Sequence, residues 1–448
     1  MLGSLCRARA ATLLITPNSE LTLEQATEIA LKMHPLRMES QSDVTAARAG
    51  VGVARSGMLP QAYGAAEYLR TTANGIGNTN FFSLNMFPRV PGRNSDLPST
   101  DTSQSSQTSN NYLGGVSVSQ FLFDFGRVRG FISERRADLD AADAQLKLTD
   151  LNLIFEVAQR YYELLAAEQQ IKVYDEAIRQ RQDQLHQATV LAKADLRPGI
   201  DVSITQADLS RAEMERVKAV NARDDAKVAL DAAMGMADSA PPYNVVGTLA
   251  YSPVTDALPD LLARAFVLRP DLKVLVDEAR AAGARVDQFK SDYLPTGTAQ
   301  LGYTALGTGL PAANNFFAGL VITWPLFNGF RTEDQIAQAR AREHAIGYAF
   351  ADMRQRVVEE VHTSFLNWQA SVVVIKKAEE TLAASREELS LATQRYRQGL
   401  SSIIELDDAE RRYTEDSATY VNSLYGYSVA QADVQRSTGE SIADIKRP

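Results

Sequence analysis

The acidic residues that follow Gly399 pose the first chemical question. In "RYRQGLSSIIELDDAERRY", residues 395–413, Glu405, Asp407 and Asp408 arrive within four positions. Carboxylates this close can hold a cation, divide general acid and base work, or form one layer of a charged ring. On a helix Glu405 and Asp408 are three apart and share a face, while Asp407 points elsewhere as a solvated residue. An enzyme built on this stretch would be a carboxylate-pair hydrolase resting on Glu405 and Asp408 alone, and such surface pairs are usually solvated and structural. Other chemistry is absent from the sequence. His34, His186, His344 and His362 make no ligand spacing with each other or with a cysteine. No GxSxG elbow and no P-loop occur, and "GIGNTN" (75–80) lies in a polar loop with no helix after it. The expectation is a protein with no catalytic residues, no cofactor and no metal site.

Composition narrows the class. The chain has 448 residues, a formal charge of −9 and 45% hydrophobic residues. The acidic balance argues against a nucleic-acid partner, which calls for a basic patch. With Cys6 as the one cysteine, no intrachain disulfide can form. In "LGSLC" it is either a lipid anchor, although Leu5 stands where a small residue is expected, or an incidental thiol. No apolar run of ~18 residues exists, which excludes a transmembrane helix. Arg7 and Arg9 break the leading apolar run, so residues 1–20 make a poor secretory leader and are read as a signal remnant or a misassigned start.

The elements that would position the acids come in two copies. Pro35 and Pro60 are 25 residues apart, as are Pro270 and Pro295, and both intervals carry Ala, Arg and Val at helical spacing. "FLFDFGRVRG" (121–130) answers "PLFNGFRTED" (325–334), and each introduces a long helical stretch. The first repeat is placed at 21–234, with strands 61–70 and 112–121, a long helix 127–195 and a return helix 201–234. A Pro, Gly and Ser-rich linker at 235–257 leads to the second repeat at 258–440, with strands 297–306 and 315–324, a long helix 331–398 and a return helix 401–438; a tail at 441–448 follows. Pro60, Pro295 and Pro325 mark the crossings between helix and strand.

The long helices read as coiled coil. Ile154, Val157, Tyr161, Leu164, Ile171, Tyr174, Ile178 and Leu185 recur at steps of three, four or seven, so Tyr161 and Tyr174, with the neighbouring Tyr162, are assigned to seam packing. At 1.5 Å per residue a helix over 331–398 would be ~100 Å long. The strands alternate cleanly: Ala299, Leu301, Tyr303 and Ala305 against Gln300, Gly302 and Thr304, and Phe316, Ala318, Leu320, Ile322 and Trp324 against Phe317, Gly319, Val321 and Thr323. About ten residues per strand spans a bilayer when tilted, and an apolar outer face is the signature of a membrane β-barrel. Four strands cannot close one, so such a barrel needs several chains; three would supply twelve strands. Residues 71–111, polar and rich in Ser, Thr, Asn, Gly and Pro, read as a long surface loop. The competing reading is a soluble coiled-coil scaffold whose strands form a small sheet.

"LTLEQATEIALKMHP", "SGMLPQ", "FLFDFG", "SDYLPTG", "WPLFNGF" and "RQGLSSIIELDDA", in this duplicated order over residues 20–440, resemble the TolC-like outer membrane efflux proteins. The resemblance implies a mainly α fold with a small β part: a homotrimer whose twelve-stranded barrel, embedded in outer-membrane lipid, continues into a periplasmic helical tunnel. It implies an exit duct for a tripartite efflux pump or a type I secretion system, docked to a periplasmic adaptor and an inner-membrane pump of RND or ABC type. It also gives the acids a role. Counted from Gly399, Glu405 and Asp408 match two ring acids of the second repeat, Tyr396 matches a tyrosine of the gate network, and Asp201 matches an acid of the first repeat's gate. Ser401 stands where the family has a gate arginine, with Arg395 and Arg397 the nearest substitutes. The first tip turn is rewritten as "LRPG" with Pro198 and Gly199, and the family's tip glycine falls on Asp195.

Overall fold

The computed structural model describes residues 19–72, 108–238, 240–254, 256–307 and 313–440. Cys6, the leader and most of the polar loop at 71–111 lie outside the described residues. Strand β1 (Ser19–Leu21) leads into helices α1 (Leu23–Met33) and α2 (Pro35–Ser56), then strands β2 (Gln61–Thr72) and β3 (Thr108–Phe123), the 67-residue helix α3 (Arg127–Lys193) and its return helix α4 (Ile200–Ala233). Strand β4 (Tyr243–Val245) follows, and the order repeats as α5 (Leu258–Leu268), α6 (Pro270–Ser291), β5 (Thr296–Gly307), β6 (Ala313–Thr323), the 67-residue α7 (Arg331–Arg397) and α8 (Ile403–Thr438). The fold is mainly α with a small β part and a duplicated strand–long-helix unit, as the sequence predicts.

Two compact units arise. One comprises Met1–Val44, Ala142–Leu275 and Ala349–Pro448; the other comprises Thr45–Ala141 and Val276–Tyr348. The second unit holds an antiparallel sheet in the order β2-β3-β5-β6. Its register places Ala62, Val118, Leu301 and Ala318 in one row, and Gly64, Val116, Tyr303 and Phe316 in the next. Side chains alternate faces along a strand, so these rows make one apolar face across all four strands. The opposite face carries Gln61, Ser119 and Gln300, and Tyr63, Ser117 and Gly302. Close approach explains Gly302: a Cβ there would lie 2.6 Å from the Phe317 ring and 2.9 Å from the Val116 carbonyl. At the end of β6 the Trp324 indole donates to the Tyr293 carbonyl (3.0 Å).

The first unit is held by coiled-coil seams. Along α7 the positions turned inward are Val357, Val361, Ser364, Trp368, Ser371, Ile375, Ala378, Leu382, Ser385, Leu389, Ala392 and Tyr396. Their steps alternate four and three without a break, the heptad geometry that imposes a left-handed supercoil. Two apolar clusters reflect the duplication. Leu21, Ile29, Met33, Val157, Tyr161 and Leu230 form one, and Leu261, Val357, Val361, Phe365, Trp368 and Tyr427 the other. Each has a tyrosine hydroxyl on a peptide carbonyl: Tyr161 reaches Leu21 (2.8 Å) and Val246 (2.6 Å), and Tyr427 donates to Ser252 (3.0 Å). The segment read as a linker contains β4, which pairs in parallel with β1; three residues are too few for an alternation to show in sequence. His34 ends α1, and Pro35 starts α2 directly after it.

Gly235 supplies the sharpest backbone test in this unit. It has φ +75°, and a Cβ would sit 2.8 Å from His34 Cα. Gly235→Ala is therefore expected to destabilise the fold by roughly 2 kcal/mol or more, from left-handed strain plus overpacking. Gly199→Ala is the control, since Gly199 has φ −62° and nothing within 4 Å of a Cβ; it should be neutral or stabilise by a few tenths of a kcal/mol. Thermal unfolding of the two variants side by side checks the difference.

Candidate functional site

The two helix–turn–helix tips of the first unit meet at the residues the sequence singles out. At the second tip α7 ends on Gly399, whose φ of +73° closes the helix. Its amide donates to the Tyr396 carbonyl (3.0 Å), and the Leu400 amide donates to the Arg395 carbonyl (2.8 Å). This pair of bonds is the Schellman motif. The first tip makes the same pair around a different residue: the Asp195 amide donates to Ala192 (3.1 Å) and the Leu196 amide to Leu191 (3.0 Å), with Asp195 at φ +57°. Aspartate tolerates the left-handed region better than most residues, so Asp195 does there what Gly399 does here. Pro198 and Gly199 follow in the turn; Gly199 has ordinary backbone and is the residue from which α4 starts.

Tyr396 is buried beneath these turns, packed with Ala392, Ile403, Leu406 and Ala409 and with Ile204 from α4. The Arg197 guanidinium lies 5.1 Å from the Tyr396 ring centroid and donates to the Ser401 carbonyl (3.2 Å). A cation over a tyrosine ring is attracted by the ring quadrupole. Burial, then the charge of Asp201, push the Tyr396 hydroxyl above its ordinary pKa, with Arg197 opposing. Asp201 itself is buried in the first turn of α4. An arginine does sit at Ser401, and it comes from the other tip.

Glu405 and Asp408 are on the exposed face of α8. The Ser402 side chain caps that helix, accepting from the Glu405 amide (3.3 Å). Glu405 is 46% exposed and 3.0 Å from Arg395 Nε; Asp408 is 48% exposed and 3.3 Å from Arg411 Nη2. Of the two nearest substitutes for the missing arginine, Arg395 is the one engaged with an acid of this stretch.

Asp407 corrects the sequence reading. It faces inward and forms an ion pair with Arg181 of α3, at 27% exposure. Arg181, 11% exposed, also lies 3.2 Å from Glu410 and 3.9 Å from Asp208 of α4. Gln184 donates to Glu410, and Arg211 pairs with Asp208. Glu410 is pushed up to about 7, by burial first and then by Asp407 and Asp208 against the pull of Arg181. Asp208 is raised in the same direction, by burial first and then by Asp407. Sequence reasoning missed Arg181, Arg197 and Glu410. Arg181 and Glu410 did leave a trace: Ala177, Arg181, Gln184 and Ala188, and likewise Ile403, Leu406 and Glu410, follow seam spacing with charged residues at core positions.

The remaining sequence candidates are placed in the second unit. Pro60 directly precedes β2, Pro295 directly precedes β5, and Pro325 follows β6. Phe327 is exposed and meets Phe330 edge to face at 5.6 Å. Among the described residues no three His, Cys, Asp or Glu side chains are grouped to hold a metal ion, and no helix is long and apolar enough to cross a membrane.

Comparison with known proteins points in one direction. The profile described as "Outer membrane efflux protein" matches residues 27–236 and 261–440. The chain is 23% identical over 368 residues to the "Cation efflux system protein CusC" of Escherichia coli O157:H7, covering 79% of this chain and 78% of that protein. It is 23% identical over 414 residues to the "Outer membrane protein TolC" of Vibrio cholerae, covering 90% and 87%. A solved structure of CusC superposes with a TM-score of 0.76 over 93% of this chain and 92% of that one, at 18% identity.

Proposed function

Because this chain belongs to the outer membrane efflux protein family, we propose that it is a passive duct through the outer membrane, assembled from three copies and gated at the helical tips. The observation that carries this reading is the sheet. Its apolar rows cross all four strands, and β2 and β6 are its edges. Lipid does not accept an unpaired strand edge. Joining β6 of one copy to β2 of the next removes both edges, and three copies give a closed barrel of twelve strands, an even number within the range of such barrels. The apolar face then meets lipid, and the face with Gln61, Ser117 and Gln300 lines the lumen. The helical unit extends into the periplasm, where an adaptor and an inner-membrane pump of RND or ABC type dock and supply the energy.

In this reading the duct has no chemistry of its own, and the tips control passage. Asp201, Tyr396, Glu405 and Asp408 form the gate, with the turns at Pro198, Gly199 and Gly399 shaping its rim. Arg197 on the Ser401 carbonyl fastens the two tips of one protomer together. Related proteins carry names as different as a cation efflux protein and a toluene efflux pump protein, so the proposal is a conduit and names no cargo.

Fractionation and bilayer recording test it. The protein should fractionate with the outer membrane as a trimer that withstands mild detergent and dissociates on boiling, and it should conduct at a low level in planar bilayers. Arg197→Ala should raise that conductance, because it removes a hydrogen bond and a cation–ring contact between the tips. A soluble monomer, or a membrane trimer without conductance, would end the reading.

A further inference from the structure

One cluster is left unused by the gate. Arg181 is buried among three carboxylates, Asp208, Asp407 and Glu410, drawn from two helices other than its own. Its position on α3 and those of Glu410 on α8 and Asp208 on α4 are seam positions that an apolar side chain would ordinarily fill. Breaking a buried ion pair by removing one partner is costly, whereas apolar replacement of the whole pair often is not. Charge in a seam thus does little for stability that packing would not do, but it makes the contact conditional on protonation. The charges are also unbalanced, with Arg181 and the largely exposed Arg211 facing three acids.

We propose that Arg181 and Glu410 form a second latch, which pins α8 to the α3–α4 hairpin and loosens as Glu410 ionises. This rests on the reading of the chain as a gated duct. The charged groups around Glu410 are Arg181 from α3, Asp208 with its partner Arg211 from α4, and Asp407 on α8 itself, and the neutral Gln184 donates to it. From α7, Glu388 reaches α8 at Arg412, two residues after Glu410, and pairs with it (2.8 Å).

The direction follows from linkage. In the packed arrangement Glu410 holds its proton up to about pH 7; once swung out into water it would ionise near the ordinary 4.5. Below the ordinary value both arrangements are protonated and the latch is unaffected by pH. As pH rises from there to the packed value, the released arrangement gains by losing its proton while the packed one does not. Above it the packed arrangement must hold a buried carboxylate, and the loss is complete. Between about pH 6 and about pH 8 the balance shifts toward release by roughly tenfold per protomer. Asp208 adds in the same sense.

Amide hydrogen exchange over residues 403–414, measured on the trimer at about pH 6, 7 and 8 and corrected for intrinsic exchange, reads the latch directly. The opening equilibrium should rise roughly tenfold across that range in the wild type and change far less in Glu410→Gln, which keeps the shape, stays neutral and leaves only the smaller contribution of Asp208. Equal pH dependence in the two proteins, or none in the wild type, overturns the proposal. If Glu410→Gln does not assemble, infrared difference spectra of the wild type decide instead. A protonated-carboxyl band that disappears between about pH 6 and 8 supports the latch, and its absence overturns it. Exchange reports the contact whether or not the protein conducts, so a trimer that showed the tenfold change without conductance would support the latch and count against the duct.

Discussion

Leu301→Arg should abolish the membrane-assembled trimer, while Gln300→Arg, one residue away, should leave it nearly intact. The two residues are neighbours in β5 and differ in face. Leu301 is in register with Val118 and Ala318, and Gln300 with Ser119 and Gly319. On the lipid face an arginine near the bilayer midplane costs about 2–4 kcal/mol. Symmetry repeats that cost in each of three copies, so the amount of outer-membrane trimer should fall by far more than tenfold. On the lumen face the same charge meets water, and the expected effect is a trimer within about twofold of wild type and a shift toward anion passage. Quantifying heat-sensitive trimer in outer-membrane fractions, with reversal potentials for the survivor, checks both halves. Equal loss in the two variants would refute the assignment of faces.

Neutralising the acids at the tip should have the second-largest effect. In Glu405→Gln/Asp408→Asn each protomer loses two half-exposed carboxylates, and the proposed ring loses all of its copies together. One carboxylate near a cation in water is worth little: about 1 kcal/mol per unit charge at 4 Å. Three facing one divalent cation act jointly, and after salt screening on the order of 2–3 kcal/mol remains. Block by a divalent cation added from the tip side should therefore weaken by roughly tenfold to a hundredfold. Because Arg395 and Arg411 already engage these acids, the freed arginines add to the change, and cation preference should fall along with block. Dose–response curves for cation block in planar bilayers measure it. Unchanged block would sink the ring and leave Glu405 and Asp408 as ordinary salt-bridge partners.

How much of this could be read without coordinates depends on the range of each interaction. The helices, their heptad seams and the strand alternation were legible because each is set by neighbours a few residues apart, repeated many times over. Tyr161 could be placed inward on spacing, and Tyr396 at the tip on resemblance, while the burial of Tyr396 came only with the structure. The left-handed turn at Asp195 could be located only by matching it to Gly399, since nothing in "KADLRPG" itself marks an aspartate as the residue that closes the helix. The strands β1 and β4 were invisible because three residues carry no period.

Sequence by itself determined that the chain is duplicated, that its helices pack along seams and that its strands have one apolar face, since all three follow from periodicity. Tertiary structure alone decided which charges meet. Arg197 reaches Ser401 across 204 residues, and Arg181 reaches Asp407 across 226. Asp407 and Asp408 are adjacent and chemically alike, yet one turns inward to Arg181 and the other outward to Arg411. A helix turns by about 100° per residue, so adjacent side chains face different neighbours. Which neighbour supplies an arginine is fixed by how four helices from two repeats are brought side by side.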